Sequence, residues 1–165
     1  MMTKRMTSIA LAAFVTLPSA LFLYARPDDP IAYPQDYRKW AHVKSTLVGP
    51  QTTTFEKNGG LHHFYANEKA LEGYHMGKFP DGSVLIDERL ETRETDGVTT
   101  EGPRRSLAVM VKDSRRYTET SGWGFEVFIG ASQTERALNA QSRLACYNCH
   151  AKRKDQDFVY STFRK

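Results

Sequence analysis

Cysteine is scarce in this chain. Its 165 residues include only two, too few for a disulfide framework or a four-cysteine zinc site. Beyond the N-terminal segment, no hydrophobic run is long enough to cross a bilayer, which excludes a multi-span membrane protein. Net charge is modest at +4, and no basic cluster with interleaved aromatic residues indicates a nucleic-acid partner.

What the chain does contain is typical of one globular domain with a substantial core. Hydrophobic residues make up 40% of the sequence and charged residues 25%. Aromatic residues reach 12%, mostly Phe and Tyr, which favours strands or a cofactor pocket over a plain helical bundle.

The first segment, residues 1–25, is predicted to be a secretory signal peptide. Lys4 and Arg5 precede an apolar stretch, and small residues follow at Ala20 and Ala25. Leu23 departs from a small-x-small cleavage site, so an uncleaved anchor is the alternative. Both interpretations place the domain outside the cytoplasm, and we expect the periplasm.

The remaining chain divides into a leader and a domain. Residues 26–36 are rich in Pro and Asp and are predicted to form a flexible leader. Residues 37–165 are predicted to form the single folded domain. Asp36 is a candidate N-cap for a short helix through Val43.

The two cysteines carry the chemistry. Cys146, Cys149 and His150 form the Cys-x-x-Cys-His pattern of c-type haem attachment. The spacing puts both sulfurs on one side of a helical turn, where they can add to the two vinyl groups of one haem. The adjacent imidazole of His150 then reaches the iron. The sequence predicts one covalent haem c with His150 as the metal ligand.

Two other interpretations of the cysteine pair stay open at this point. A Cys-x-x-Cys pair also forms redox disulfides, although those usually lie at the start of a helix near the front of a thioredoxin-like unit. The spacing of the pair also matches half of a zinc site, and His62 and His63 would have to supply the other two ligands.

Hydrophobic patterning predicts a mainly β, α+β fold: an antiparallel sheet with a few short helices and the haem motif on a C-terminal helical segment. Strands are predicted from Val84 to Arg93, around Leu107–Val111 and from Trp123 to Gly130. Asp96-Gly97 indicates a hairpin. Helices are predicted over 67–76, capped by Asn67 and ended by Gly77, and over 134–149.

These features resemble the cytochrome P-460 / cytochrome c′-beta family, whose members are secreted, single-haem and mostly β. The resemblance extends over roughly residues 34–165. Besides the haem motif, the matching stretches are residues 59–67 (GGLHHFYAN), 78–84 (KFPDGSV), 111–117 (VKDSRRY) and 122–125 (GWGF).

The resemblance implies an antiparallel β domain, a homodimer and a five-coordinate haem. Cytochromes P-460 carry a lysine cross-linked to the porphyrin and a distal carboxylate, and they oxidise hydroxylamine. Cytochromes c′-beta have an apolar distal pocket and bind nitric oxide or carbon monoxide. By this resemblance Cys146, Cys149 and His150 hold the haem. The lysine's place falls at Asp87 and the carboxylate's at Ala108, which favours the c′-beta type.

Asp87 is ambiguous at this stage. If it faces the haem, its charge needs a partner, and Arg89 and Arg105 are candidates. If the strand register differs by one residue, Asp87 faces solvent and Ile86 faces the haem. Lys78 is a second candidate for distal chemistry, together with Asp87.

Several further residues are candidates for haem contact. Phe55, Phe64 and Phe79 are candidates for the distal face, and Arg143 for a haem propionate, one turn before Cys146. Met110 is expected to be core packing.

The preferred function from the sequence is binding of small diatomic gases, nitric oxide or carbon monoxide, at an open iron site. The alternatives are a hydroxylamine- or NO-oxidising P-460-type enzyme and an electron-transfer cytochrome c. The sequence does not identify a redox partner.

Overall fold

The computed structural model describes residues 30–164, which form a five-stranded antiparallel sheet whose strands follow chain order. The predicted mainly β, α+β fold is confirmed. The strands are β1 (Ala41–Val48), β2 (Gly60–Ala66), β3 (Val84–Thr95), β4 (Val98–Lys112) and β5 (Trp123–Ile129). The helices are α1 (Phe55–Asn58), α2 (Glu68–Met76) and α3 (Ala140–His150), with 3₁₀ helices at Tyr37–Lys39, Thr118–Thr120 and Ala151–Gln156.

Short-range signals define the central elements. The Asn67 side chain accepts a hydrogen bond from the Ala70 N–H at the start of α2, and Gly77 ends that helix with a φ of 72°. Asp96 and Gly97 have φ values of 53° and 75° and join β3 to β4. Two successive positive φ angles suit the right-handed twist of a hairpin. All three predictions are confirmed.

Side chains alternate between the two faces of the sheet along each strand. Each face packs against a hydrophobic core of its own. We call the two sides the cavity face and the leader face. The cavity face packs a core of Val43, Ala66, Ala70, Phe79, Leu85, Trp123, Phe125 and Val159. The leader face packs a core of Ile31, Tyr37, Ile86, Leu107, Val109 and Phe128. Complete burial of a side chain such as Phe128 contributes about 1.5–3 kcal/mol to folding.

Part of the predicted flexible leader is packed. Of residues 26–36, the structure describes 30–36, and Ile31 is only 8% exposed. The Tyr33 ring lies edge-on to Phe128 with 5.0 Å between ring centroids. The Arg136 guanidinium donates to the Ile31 carbonyl at 2.7 Å. The prediction is wrong for these residues, since apolar side chains between the prolines find a covered face of the sheet.

The haem-motif helix is shorter than the predicted span of 134–149. Arg136 forms a bridge with Phe128 at the outer edge of β5, which keeps this stretch extended. Asn139 then caps α3, accepting from the Ser142 N–H while the Ser142 hydroxyl accepts from the Asn139 N–H. Pairing with the edge of β5 therefore keeps Arg136 out of the helix that the sequence pattern predicts.

The predicted helix from Asp36 through Val43 is also shorter. Only the 3₁₀ turn Tyr37–Lys39 forms, and Val43 belongs to β1. The predicted signal peptide, residues 1–25, lies outside the described residues. Within residues 30–164, the helices are too short or too polar to cross a membrane.

Candidate functional site

A cavity of about 690 Å³ lies between α3 and the cavity face of the sheet. This volume is within the range of protein sites that bury a cofactor or small ligand. From α3 it is lined by Cys146, Cys149 and His150. From the strands it is lined, among others, by Asp87 and Ala108.

The α3 helix places the motif side chains against this cavity. Cys146 and Cys149 are three residues apart, so they lie on the same side of the helix. Both are free thiols rather than a disulfide. Burial raises the pKa of the Cys146 thiol, so this sulfur is protonated at neutral pH.

The imidazole of His150 has a fixed orientation. Its Nδ1 lies 2.7 Å from the Phe158 carbonyl oxygen, which only accepts hydrogen bonds, so Nδ1 carries the hydrogen and Nε2 is left for another partner. The ring also packs against Phe125 and Tyr160, with ring centroids 5.2 Å away in each case. Burial lowers the pKa of His150 and favours the neutral form, which is the form that binds metals.

These residues fit a c-type haem. Two thiols and one imidazole from a single helix line one cavity of suitable size, and a carbonyl group fixes the imidazole tautomer. Cys146 and Cys149 would hold the porphyrin through thioethers, and His150 would bind the iron through Nε2. When bound, the haem would supply an iron centre for ligand binding or electron transfer.

Asp87 faces the cavity. It pairs in register with Phe64 of β2 and Ala108 of β4, and all three line the cavity. Its side chain is 17% exposed, while Ile86 lies in the core of the leader face. The solvent-facing alternative is therefore wrong.

Two side chains form hydrogen bonds to the carboxylate of Asp87. Oδ1 lies 2.8 Å from Nδ1 of His62, and Oδ2 lies 2.8 Å from Nε of Arg89. Burial alone would raise the pKa of Asp87, but the His62 hydrogen bond and the charge of Arg89 outweigh burial and hold that pKa below its ordinary value. The carboxylate is ionised at neutral pH.

His62 meets a hydrogen-bond acceptor at each ring nitrogen. Its Nδ1 faces the ionised Asp87, and its Nε2 lies 2.8 Å from the Asn58 carbonyl oxygen. Both partners only accept hydrogen bonds, so both contacts are satisfied together only when both ring nitrogens carry hydrogen. Arg105, the other predicted partner of Asp87, instead donates to the carbonyls of Gly59 and Glu56. We call His62, Asp87 and Arg89 the cavity cluster.

The other predicted contact residues divide into two groups. Phe64 and Ala108 line the cavity, as does Met110. Lys78, Phe55 and Phe79 do not line it: Lys78 is exposed, Phe55 is 36% exposed, and Phe79 is buried in the core. The structure therefore does not bring these three candidates together with the motif residues at the cavity.

The Phe79 ring packs in the core of the cavity face instead of lining the cavity. Its ring lies edge-on to Trp123 and Tyr74, with centroids 5.7 and 5.0 Å away. It also fills the space beside Gly73, where a Cβ atom would come within 2.3 Å of the ring. The aromatic spacing in the sequence does not distinguish such a core ring from one that lines a pocket.

Arg143 is held by a residue that the sequence did not single out. It donates to Glu126 of β5 at 2.7 Å, and Arg136 lies 3.3 Å from the same oxygen. The Glu126 side chain is fully buried and also lines the cavity. The strand pattern around Glu126 alternates without showing that both faces are covered, so no sequence signal marks it as buried.

Comparison with known protein families identifies the family of this chain. The family model for cytochrome P460 matches residues 34–161, which is most of the chain. The chain belongs to the cytochrome P460 family. Comparison with curated proteins gives no match. Membership in this cytochrome family supports haem as the cofactor of the cavity.

One expectation from the family resemblance is wrong. The c′-beta type implies an apolar distal pocket, yet the sheet wall of this cavity includes the ionised Asp87 and its partner Arg89. The zinc alternative also finds no support, because within residues 30–164 no group of three or more His, Cys, Asp or Glu side chains is arranged to hold a metal ion.

Proposed function

We propose that this cytochrome P460-family protein carries one covalent haem c and binds small diatomic gases, nitric oxide or carbon monoxide, at its iron. The observation that supports this proposal most is that the side chains of the cavity cluster already have hydrogen-bond partners. Both ring nitrogens of His62 and both carboxylate oxygens of Asp87 already have partners. Binding of either side chain to a haem iron would therefore break one or more of these hydrogen bonds.

The lining of the cavity also suits a small neutral ligand. Phe64, Ala108 and Phe125 present apolar surface next to the charged cluster. Asp87 lies between His62 and Arg89, so its charge is compensated within the wall. A neutral gas molecule can enter such a site without losing strong hydrogen bonds to water.

Hydroxylamine oxidation is the second candidate, because Asp87 places a carboxylate in the cavity wall. A general base works best when its pKa lies near the operating pH. The pKa of Asp87 is instead held below its ordinary value, and both oxygens are occupied. Asp87 is therefore a weak base, and this candidate ranks below gas binding.

Met110 provides the contrast with an electron carrier. Its side chain lines the cavity, and a thioether is a common sixth ligand in cytochromes c. Met110 also packs against the core of the cavity face. Gas binding requires that Met110 stay packed in the haem-loaded protein and not bind the iron.

The test uses the full chain produced in a host that attaches haem c. The intact mass should show one covalent haem, and the ferrous protein should be high-spin and shift its Soret band on adding carbon monoxide or nitric oxide. A low-spin spectrum with a sulfur-to-iron charge-transfer band that disappears in Met110→Leu would contradict the proposal in favour of electron transfer. Hydroxylamine-dependent reduction of an acceptor dye, lost in Asp87→Ala, would contradict it in favour of oxidation.

The proposal includes a periplasmic location and a homodimer. Export rests on the predicted signal peptide, residues 1–25, and the dimer on the family resemblance. The same intact-mass measurement reports whether the signal peptide is removed. Light scattering during size-exclusion chromatography would show a mass twice that of one haem-loaded chain. A single-chain mass at micromolar concentration would contradict the dimer.

A further inference from the structure

The carbonyl group that holds His150 belongs to a constrained turn. Phe158, whose carbonyl accepts from Nδ1 of His150, has a φ of 67°, and the preceding Asp157 has a φ of 48°. Neither residue is glycine, so the left-handed conformation of each is unfavourable by itself. Such conformations persist only where the surroundings fix them, so something in the fold must hold this turn.

A buried ion pair holds it. The Nζ of Lys112, at the end of β4, lies 2.9 Å from Oδ1 of Asp157. The Phe79 N–H donates to Oδ2 at 2.8 Å, so both carboxylate oxygens are occupied. The two charged side chains are only 9% and 12% exposed.

The lysine is fixed in turn by its own surroundings. Lys112 also donates to the Ser121 carbonyl at 3.3 Å, and its Nζ lies 4.7 Å from the ring centroid of Trp123. Trp123 is fully buried in the core of the cavity face. The turn is thus attached to the buried core of the cavity face. We call Lys112, Asp157 and the Phe79 N–H the turn clamp.

We propose that the turn clamp sets the hydrogen bond to His150 and thereby tunes the haem iron, with Asp157 and Lys112 acting as positioning residues. A hydrogen bond from Nδ1 to an acceptor raises the basicity of the other ring nitrogen. A more basic imidazole stabilises ferric over ferrous iron. The inference rests on the proposed function in one respect: it takes His150 as the iron ligand.

The sequence motifs that carry the family resemblance converge on this clamp. Lys112 comes from the stretch 111–117, Phe79 from 78–84 and Trp123 from 122–125. None of these residues contributes a haem-attaching group. The clamp gives these three separate stretches a common role: each contacts the turn that orients the proximal imidazole, directly or through Lys112.

The first test is Asp157→Asn in the haem-loaded protein. Asparagine tolerates a positive φ, so the turn conformation is spared, but it has one acceptor oxygen where the carboxylate has two, and it lacks the charge that pairs with Lys112. We expect the iron–histidine stretching band of the ferrous protein to move to lower frequency. We also expect the ferric-to-ferrous ratio at a fixed potential to fall about tenfold, as when a hydrogen-bond partner of a metal ligand is removed, which equals about 59 mV for one electron.

Lys112 variants provide an independent test should Asp157→Asn fold poorly. Lys112→Met keeps most of the side-chain volume and removes the charge, so it should move both readouts in the same direction. Lys112→Arg keeps the charge and should stay closer to the wild type. The matched control is Glu88→Gln, which disrupts a buried pair with Arg38 on the leader face and should leave both readouts unchanged.

The outcomes separate the two proposals. An iron–histidine band that is present in the wild type and unmoved in folded Asp157→Asn and Lys112→Met would overturn the clamp alone. Equal shifts in Glu88→Gln would also overturn it, because the effect would then be a general loss of rigidity. Absence of the band in the wild-type ferrous protein would instead contradict His150 as the ligand, and with it the proposed function.

Discussion

His62 and His63 are neighbours in β2, yet they point to opposite faces of the sheet and into different surroundings. His62 is 5% exposed and contacts Asp87 and the Asn58 carbonyl. Because both contacts are acceptors, only a ring with hydrogen on both nitrogens satisfies both of them. The carboxylate of Asp87 lies beside the ring and compensates the charge of that form.

His63 lies in a chain of polar groups near the surface. Its Nε2 is 2.8 Å from Glu101, and its Nδ1 is 2.7 Å from the Ser45 hydroxyl. The hydroxyl can donate or accept, so a neutral His63 satisfies both contacts. Ser45 also lies 2.9 Å from Nε2 of His42, and the Glu101 side chain is 63% exposed.

The difference shows that the partners, rather than the residue type, decide which form of each imidazole satisfies its hydrogen bonds. A carboxylate and a carbonyl require two donors, whereas a hydroxyl adapts to either tautomer. The two histidines also differ in the free energy that the loss of a partner costs. Loss of a partner in the buried cavity cluster leaves charges without compensation, while water replaces a lost partner of His63.

The largest expected effect is that of Asp87→Ala. Removal of this carboxylate leaves the Arg89 guanidinium without its ion-pair partner and the buried His62 without an acceptor for Nδ1. We expect the free energy of unfolding to fall by about 3–5 kcal/mol, as when one partner of a buried ion pair is removed. Denaturant titration of the haem-loaded protein would measure this, and a loss under 1 kcal/mol would show that the cluster is hydrated.

The matched substitutions His62→Phe and His63→Phe compare the neighbours directly. His62→Phe removes two buried hydrogen bonds and leaves Asp87 with Arg89 alone, so we expect a loss of about 2 kcal/mol. His63→Phe leaves exposed partners that water can solvate, and we expect less than half that loss. Equal losses in the two variants would contradict the distinction between the faces.

Acidification provides a further comparison. The pKa of Asp87 is lowered in the folded protein, so its contribution to stability is present above its ordinary pKa of 3.8 and is lost as pH falls through the folded value. The free energy of unfolding between pH 5 and pH 2 should therefore depend less on pH in Asp87→Asn than in the wild type. Identical pH profiles would mean that Asp87 titrates alike in both states.

The smallest expected effect is that of Glu101→Ala. The pair between Glu101 and His63 lies at the surface, where ion pairs contribute about 0–1 kcal/mol. We expect a change of at most about 0.5 kcal/mol and no change in the Soret band. A loss comparable to that of Asp87→Ala would show that the two histidine sites are energetically linked.

Much of the fold follows from local chemistry. The cap at Asn67 and the Asp96-Gly97 turn act through a few neighbouring atoms, and both were predictable. β1 was not predicted, and the helix that the sequence pattern assigns to 36–43 competes with it. The start of α3 is also not predicted, because Arg136 pairs with Phe128 at the edge of β5, and the order of the strands in the sheet decides that this edge is open.

The candidate site shows the same division. Cys146, Cys149 and His150 were assigned by spacing, and the structure places all three on one cavity. Lys78 is a candidate only as a second lysine, and Phe55 and Phe79 only as aromatic rings, and residue type does not indicate where a side chain points. Glu126 gave no signal, since burial of a charged residue depends on cationic partners from other segments.

By itself, the sequence determined the haem-attachment motif and the antiparallel hairpin, because one helical turn and one two-residue loop are complete within a few residues. Only the tertiary structure decided which face Asp87 occupies and that Lys112 meets Asp157. A shift of one residue in strand pairing reverses the side of every side chain. Ion-pair partners lie 25 and 45 positions apart in the cavity cluster and the turn clamp, so only packing brings them together.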